Sequence, residues 1–112
     1  MIVPVFAPQA RIDAVDVAEF SRTVSEHVAR DGCMVIDCSE VVWIAISGMR
    51  VLETASHDVP ITLINPSPIV HLMAAAFGDD VQCRYDRTRP PEFEIQVPRR
   101  RLASVPGGKV AT

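Results

Sequence analysis

The sequence predicts one α/β domain, a parallel or mixed β-sheet with α-helices packed on it. Three observations carry this reading. A short apolar run at 33–36 and the strand-like Ile61-Thr62-Leu63-Ile64 alternate with segments of helical spacing, the pattern of strand-helix-strand units. The first run is apolar without alternation, as in a strand buried on both faces. A chain of 112 residues with 48% apolar content has the size of one domain, and it removes roughly two-thirds of its unfolded surface from water, enough for a core without disulfides.

Ile2, Val3, Val5 and Phe6 lie around Pro4 and before Pro8, so an interrupted or edge strand is expected there. Val17, Phe20, Val24 and Val28 recur at helical spacing, with Glu19, Ser21, Arg22, Ser25 and Glu26 on the other face, which predicts an amphipathic helix over 17–29. Asp16 followed by Glu19 resembles a capping box, and Asp31-Gly32 ends the helix. Cys33 to Ile36, bounded by Gly32 and Asp37, is the expected centre of the sheet. Val41 to Ile46 is apolar again. Ser47-Gly48 then opens a second helix with Met49, Leu52 and Ala55 or Ser56 on one face, Ser47 being its cap. Ile61 to Ile64 is a strand. In Asn65-Pro66-Ser67-Pro68, Ser67 caps and Pro68 begins a third helix that runs through Val70, Met73 and Phe77 to Gly78. Val81 to Tyr85 is expected as the last strand.

Residues 1–83 carry 4 basic and 11 acidic side chains, whereas residues 84–112 carry 7 basic and 3 acidic ones. The basic part also holds Pro90, Pro91, Pro98, Pro106 and Gly107-Gly108, a composition that turns against packed structure after about Tyr85. The domain is therefore expected over residues 1–98, with 99–112 a flexible basic tail. Arg99-Arg100-Arg101 has no aromatic interleaving and no basic helix behind it, so a solvated tail is preferred to a nucleic-acid contact. No apolar stretch approaches the length of a membrane helix and no signal segment opens the chain. Three cysteines without CxxC spacing suit reduced thiols. A cytoplasmic protein is expected.

Catalytic chemistry is not legible. No glycine-rich phosphate loop is present, and His27, His57 and His71 are too far apart in sequence for a local metal motif, so no cofactor and no metal are expected and each histidine is read as a surface residue. Ser47 lacks the glycine two residues earlier that a nucleophile elbow needs, since Ala45 stands there. Asp37 at the strand exit is read as binding the following turn with Ser39. Trp43 is core or a contact anchor, with core preferred. Cys33 and Cys38 lie some 16 Å apart at about 3.3 Å per extended residue, beyond disulfide reach. Buried, inert thiols are expected.

The stretch Val35-Ile36-Asp37-Cys38-Ser39-Glu40-Val41-Val42-Trp43-Ile44-Ala45-Ile46-Ser47-Gly48-Met49-Arg50-Val51-Leu52 resembles the STAS domain, the family of anti-sigma factor antagonists and sulfate-transporter tails. The family pattern there is a hydrophobic strand, Asp-Leu-Ser, then Asp-Ser-Ser-Gly-Leu opening a helix. Ile61 to Val70 is similar to its next strand and helix, and Ala10-Arg11-Ile12-Asp13-Ala14 to its Gly-x-Leu-Asp entry. The resemblance covers roughly residues 8 to 80. It implies a mixed sheet with packed helices and a protein-binding switch, not an enzyme.

In the partner-switching members the first Ser of Asp-Ser-Ser-Gly is phosphorylated by a kinase that is also the anti-sigma factor. Here Ala45 replaces the Asp and Ile46 that Ser. The resemblance thus implies an antagonist-like protein in transcription control that binds an anti-sigma factor or kinase-type regulator through Ile46, Ser47, Gly48, Met49 and Arg50. It lacks the usual phosphate switch, and Ser47 is not an efficient substitute. No direct nucleic-acid contact and no membrane span are implied, and a homodimer is left open. The alternatives are the small STAS subunit of a lipid or solute transport complex and a weak nucleotide-binding module. Pro90, Pro91 and Pro98 oppose the closing helix that the family normally carries.

Overall fold

A computed structural model describes residues 1–95; the expected tail at 99–112 lies outside them. In chain order the elements are β1 (Ile2–Phe6), β2 (Arg11–Ile12), a 3-10 turn (Ala14–Asp16), α1 (Val17–Asp31), β3 (Met34–Asp37), β4 (Trp43–Ile44), α2 (Ile46–Ser56), β5 (Ile61–Ile64), α3 (Pro68–Phe77), β6 (Gln82–Arg84) and β7 (Glu92–Glu94). Five strands form a mixed sheet in the order β6-β5-β3-β1-β7, and β2 and β4 form a separate parallel pair. The non-alternating run is the central strand, as expected. Met34, Val35 and Ile36 are almost wholly buried because both faces of β3 are covered.

The even-numbered residues Met34 and Ile36 point into the main core with Phe20, Val24, Met49, Leu52, Val70 and Met73 from the three helices. The odd-numbered Cys33 and Val35 join Val3, Ile64 and Ile95 in a smaller cluster on the opposite face, as the two-residue period of a strand requires. The helix boundaries follow local chemistry. Gly32 ends α1 with φ 71°, its N–H donating to the Val28 carbonyl at 2.9 Å; a side chain is disfavoured in that left-handed conformation. Ser67 caps α3 by accepting the Val70 N–H at 3.4 Å, with Pro68 in the first turn.

Four local expectations are corrected. β1 is not an edge strand: it lies between β3 and β7. Its odd-numbered backbone groups turn to β7, with the Val5 N–H donating to Pro91 and Met1 accepting from Ile95. The nitrogen of Pro4 therefore faces the β3 side, one residue before the first paired residues, Val5 and Val35, where no ladder bond is lost. Secondly, Val81 to Tyr85 is not the last strand, because Glu92–Glu94 pairs antiparallel with β1. Thirdly, the Asp16 side chain does not cap α1; its Oδ2 accepts the Asp13 N–H at 2.9 Å instead, closing the 3-10 turn ahead of the helix. Fourthly, Ser47 is not the cap of α2, which begins one residue earlier, at Ile46.

The chain reaches β7 by crossing the carboxyl ends of the parallel strands. Asn65, at φ 55°, donates from Nδ2 to the Asp86 carbonyl at 2.7 Å and accepts the Asp86 N–H at 2.8 Å. Arg89 then lies 3.5 Å from Asp37 and 3.4 Å from Glu40. Asn65→Ala removes both clamping bonds and puts a less tolerant residue at positive φ. It is expected to lower stability by about 1–3 kcal/mol, read as a fall in the urea midpoint at unchanged slope.

Candidate functional site

The region singled out by the sequence is the start of α2, which the β2–β4 pair positions. Ala45 donates its N–H to Ile12 at 2.8 Å, and its own carbonyl accepts the first helical bond from Met49 at 3.0 Å. The helix thus grows directly from the end of the ladder. Gly48 permits this approach, because a Cβ there would stand 3.1 Å from Ile44 Cγ1 and 3.4 Å from Ile12 Cγ2. No side chain caps the first turn, so the positive end of the helix dipole is uncompensated by an acidic residue.

The five residues at this helix start divide by exposure. Ile46 is 44% exposed, an apolar side chain open to solvent at the helix end. Ser47 and Arg50 are exposed and, with Val24, Val28 and Val51, line a groove of about 510 Å³ between α1 and α2. Gly48 is buried, and Met49 is 0% exposed in the main core. Met49 therefore holds the helix in place and presents no side chain to a partner. Ser47 stands about 100° around the helix from Ile46, by the 3.6-residue turn, and looks into the groove. Sequence reasoning missed two neighbours. Val15, 90% exposed, sits on the 3-10 turn that touches α2, and Val42, 57% exposed, is bonded through its N–H to Ala10 beside the ladder. Neither was visible as surface, because apolar residues in short irregular segments carry no period from which a face can be read.

The other candidates have structural roles. Asp37 Oδ1 accepts from the Ser39 N–H at 2.9 Å and the Ser39 hydroxyl at 2.7 Å. Burial works to raise its pKa, but those bonds and the nearby Arg89 outweigh it and hold the carboxyl below its ordinary value. His57 pairs with Glu53 at 2.7 Å, His71 with the Tyr85 hydroxyl at 2.8 Å, and His27 with the Thr23 carbonyl at 2.9 Å. Among the described residues no group of three His, Cys, Asp or Glu side chains is arranged to hold a metal ion. Trp43, read as core, is half-buried and belongs to neither apolar cluster.

All three cysteines are free, and Cys33 and Cys38 belong to the clusters on opposite faces of the sheet. Burial pushes the Cys38 thiol up to about 12 and raises Cys33 and Cys83 by the same cause. The expectation of burial fails for Cys83, which is only half-buried because it lies on an edge strand. A thiol reagent at neutral pH is expected to modify Cys83 first and to reach Cys33 and Cys38 only on unfolding, as peptide mapping of the labelled chain would show. The raised Cys38 pKa also fixes a sign: the stability it contributes is complete below the ordinary thiol value of about 8.5 and is lost as pH rises from there toward 12.

The fold and this helix end define a small α/β domain: a mixed sheet, helices packed on it, and an exposed apolar residue at an uncapped helix start. The family profile of the STAS domain matches residues 2–81, and the chain belongs to the STAS domain family. Comparison with curated proteins gives no match. STAS domains are in general binding domains without catalysis, and their business is protein-protein interaction. Among the described residues no helix is long and apolar enough to cross a membrane.

Proposed function

We propose that this chain is an anti-sigma factor antagonist-like STAS protein that acts in transcription control, in the cytoplasm, by binding a kinase-type anti-sigma factor through the start of α2. It is not an enzyme, and it works without a phosphate switch at position 46. The observation that carries this reading is Ile46: an isoleucine 44% exposed at the helix end where the family's switching members present a phosphate-accepting serine. An exposed apolar side chain there favours a contact that is always available, since it has no hydroxyl to modify. Ser47 and Arg50 border the contact, and Gly48 and Met49 set its height above the sheet. Three free thiols suit a reducing compartment.

Ser47 is a poor substitute for the missing serine for a geometric reason. A kinase docked on the Ile46 face meets the neighbouring hydroxyl rotated by about 100°, toward the α1–α2 groove. The test is incubation of the chain and of Ile46→Ser with ATP and the histidine-kinase-like regulators of the same genome, followed by phosphopeptide mapping and calorimetric titration. The native chain is expected to bind one regulator and take no phosphate, and Ile46→Ser to take phosphate on the new hydroxyl. Stoichiometric phosphate on Ser47 would restore an ordinary switch displaced by one residue. Binding to a transport ATPase in place of any such regulator would establish the transport-subunit reading.

A further inference from the structure

Each helix of the domain joins two neighbouring parallel strands, α1 between β1 and β3, α2 between β3 and β5, and α3 between β5 and β6, and every step moves the same way along the sheet. Because such crossovers share one hand, all three helices fall on one face, where their apolar residues meet Met34, Ile36, Ile61 and Leu63. The opposite face has no helix. It is apolar nevertheless: Val3 and Val5 of β1, Val35 of β3, Ile64 of β5 and Phe93 of β7 form the second cluster with Cys33 and Ile95, and every described member lies on a strand or next to one. Side-by-side neighbours in a sheet leave its face open to water, and closing it takes a second layer about 10 Å away. Yet Val35 is 0% exposed, Cys33 1%, and Thr62, which alternates onto this face from Ile61 and Leu63, 2%. These values belong to a single chain, so the layer that covers the face belongs to the chain as well. Arg84 reaches over the Phe93 ring at 5.7 Å, but it is itself exposed, and one side chain does not make a layer.

The chain leads to this face. Ile95 belongs to its cluster and exchanges both backbone hydrogen bonds with Met1, whose amino group donates to the Ile95 carbonyl at 3.2 Å and whose carbonyl accepts the Ile95 N–H at 2.8 Å. Residues 96–112 therefore start at the edge of the helix-free face, at the end where the parallel strands begin. About six extended residues cross the four strand spacings from β7 to β6, and the segment supplies Val97, Leu102 and Val105 as apolar side chains. Its charge suits the same place. It holds Arg99, Arg100, Arg101 and Lys109 and no acidic residue, whereas residues 1–83 carry 11 acidic side chains against 4 basic ones, with Asp58 just ahead of β5 at this end of the sheet.

We propose that residues 96–105 lie across the helix-free face as its second layer, with Val97 and Leu102 against Val3, Cys33 and Val35 and the arginine run at the Asp58 end of the sheet. Composition read alone makes this segment a solvated tail; the buried face at which it begins gives it a docking site. That face is on the other side of the sheet from the helices, so the inference does not depend on the antagonist reading of α2.

The intact chain provides the first test. In methyl-labelled protein, nuclear Overhauser contacts are expected between Val97 or Leu102 and Val3 or Val35, and a mixture of labelled and unlabelled chains is expected to show that they arise within one chain. Their absence overturns the proposal, and so do contacts found only between chains, which would put the segment of a second copy on the face. A second readout sets one cysteine against another, since Cys33 lies on the helix-free face and Cys38 in the core beneath the helices. In the double variant Val97→Asp, Leu102→Asp, and in a chain ending at Gln96, a thiol reagent is expected to modify Cys33 about tenfold faster or more than in the native chain while Cys38 stays protected. Unchanged protection of Cys33 in both overturns the proposal. A variant that labels Cys33 and Cys38 alike has unfolded, and the methyl contacts of the intact chain then decide alone.

Discussion

Ile46→Asp is expected to fold with nearly native stability and to lose its protein partner. The side chain is 44% exposed at the first position of α2, and neither core cluster contains it, so removing it opens no cavity. A carboxylate at a helix N-terminus interacts favourably with the uncapped N–H groups, by about 0.3–1 kcal/mol, and Ile46 has no capping residue before it to compete. At an interface the sign reverses. Full burial of an isoleucine is worth about 1.5–3 kcal/mol before ordering costs, and a carboxylate in its place must be desolvated, which the exposed Arg50 one turn further along the helix offsets only in part. The loss of affinity is therefore expected to exceed the roughly tenfold that 1.4 kcal/mol represents. Thermal unfolding followed by circular dichroism reads the first half, and calorimetric titration with the regulator reads the second. A variant that unfolds would put Ile46 in the core and remove the argument for a permanent contact surface.

Met49→Asp, three residues along the same helix, is expected to do the opposite. Met49 is 0% exposed and packs in the main core with Leu52, Met34 and Ile36. An unpaired carboxylate there costs several kcal/mol even after partial relaxation, and a cavity is left where the longer side chain was. Domains of this kind have only about 5–15 kcal/mol of stability in total, so most or all of it is removed. Loss of the far-UV helix signal, or a urea midpoint near zero, checks this. One substitution at two adjacent turn positions of α2 thus separates the partner face from the packing face. Partner loss with Met49→Asp in a still folded chain would show that the buried face of α2 is reached in the complex.

By itself the sequence determined the elements that carry their own period or punctuation. β3 was legible because a continuous apolar run bounded by Gly32 and Asp37 suits a strand enclosed on both faces, and β5 because Ile61-Thr62-Leu63-Ile64 is rich in β-branched residues and bounded by Pro60 and Asn65-Pro66. α1 was legible from its apolar spacing and Gly32, and α3 from Ser67-Pro68, whose cap and fixed φ specify a helix start locally. The family resemblance is carried by Val35 to Leu52, Ile61 to Val70 and Ala10 to Ala14, and it singles out Ile46.

The tertiary structure decided whatever depended on a partner distant in the chain. Glu92–Glu94 alternates too briefly to be read as a strand between prolines; it becomes one because Asn65 and Arg89 carry the chain across the sheet to an unpaired side of β1. Pro4 read alone puts β1 at an edge, and only the register, in which pairing with β3 begins at Val5, shows that no ladder bond is lost. At the site, helical spacing put Met49 on the apolar face of α2 with Leu52, and by the same spacing Ile46, three residues earlier, would share that face. Which faces water and which the core depends on where the β2–β4 ladder sets α2 down on the sheet, and the contact of Gly48 with Ile44 and Ile12, residues distant in sequence or in another element, fixes that placement. Short-range chemistry specifies elements because their hydrogen bonds close within a few residues, and spacing marks the buried face within a long helix such as α1; at a helix end such as Ile46 exposure is set by the packed layers.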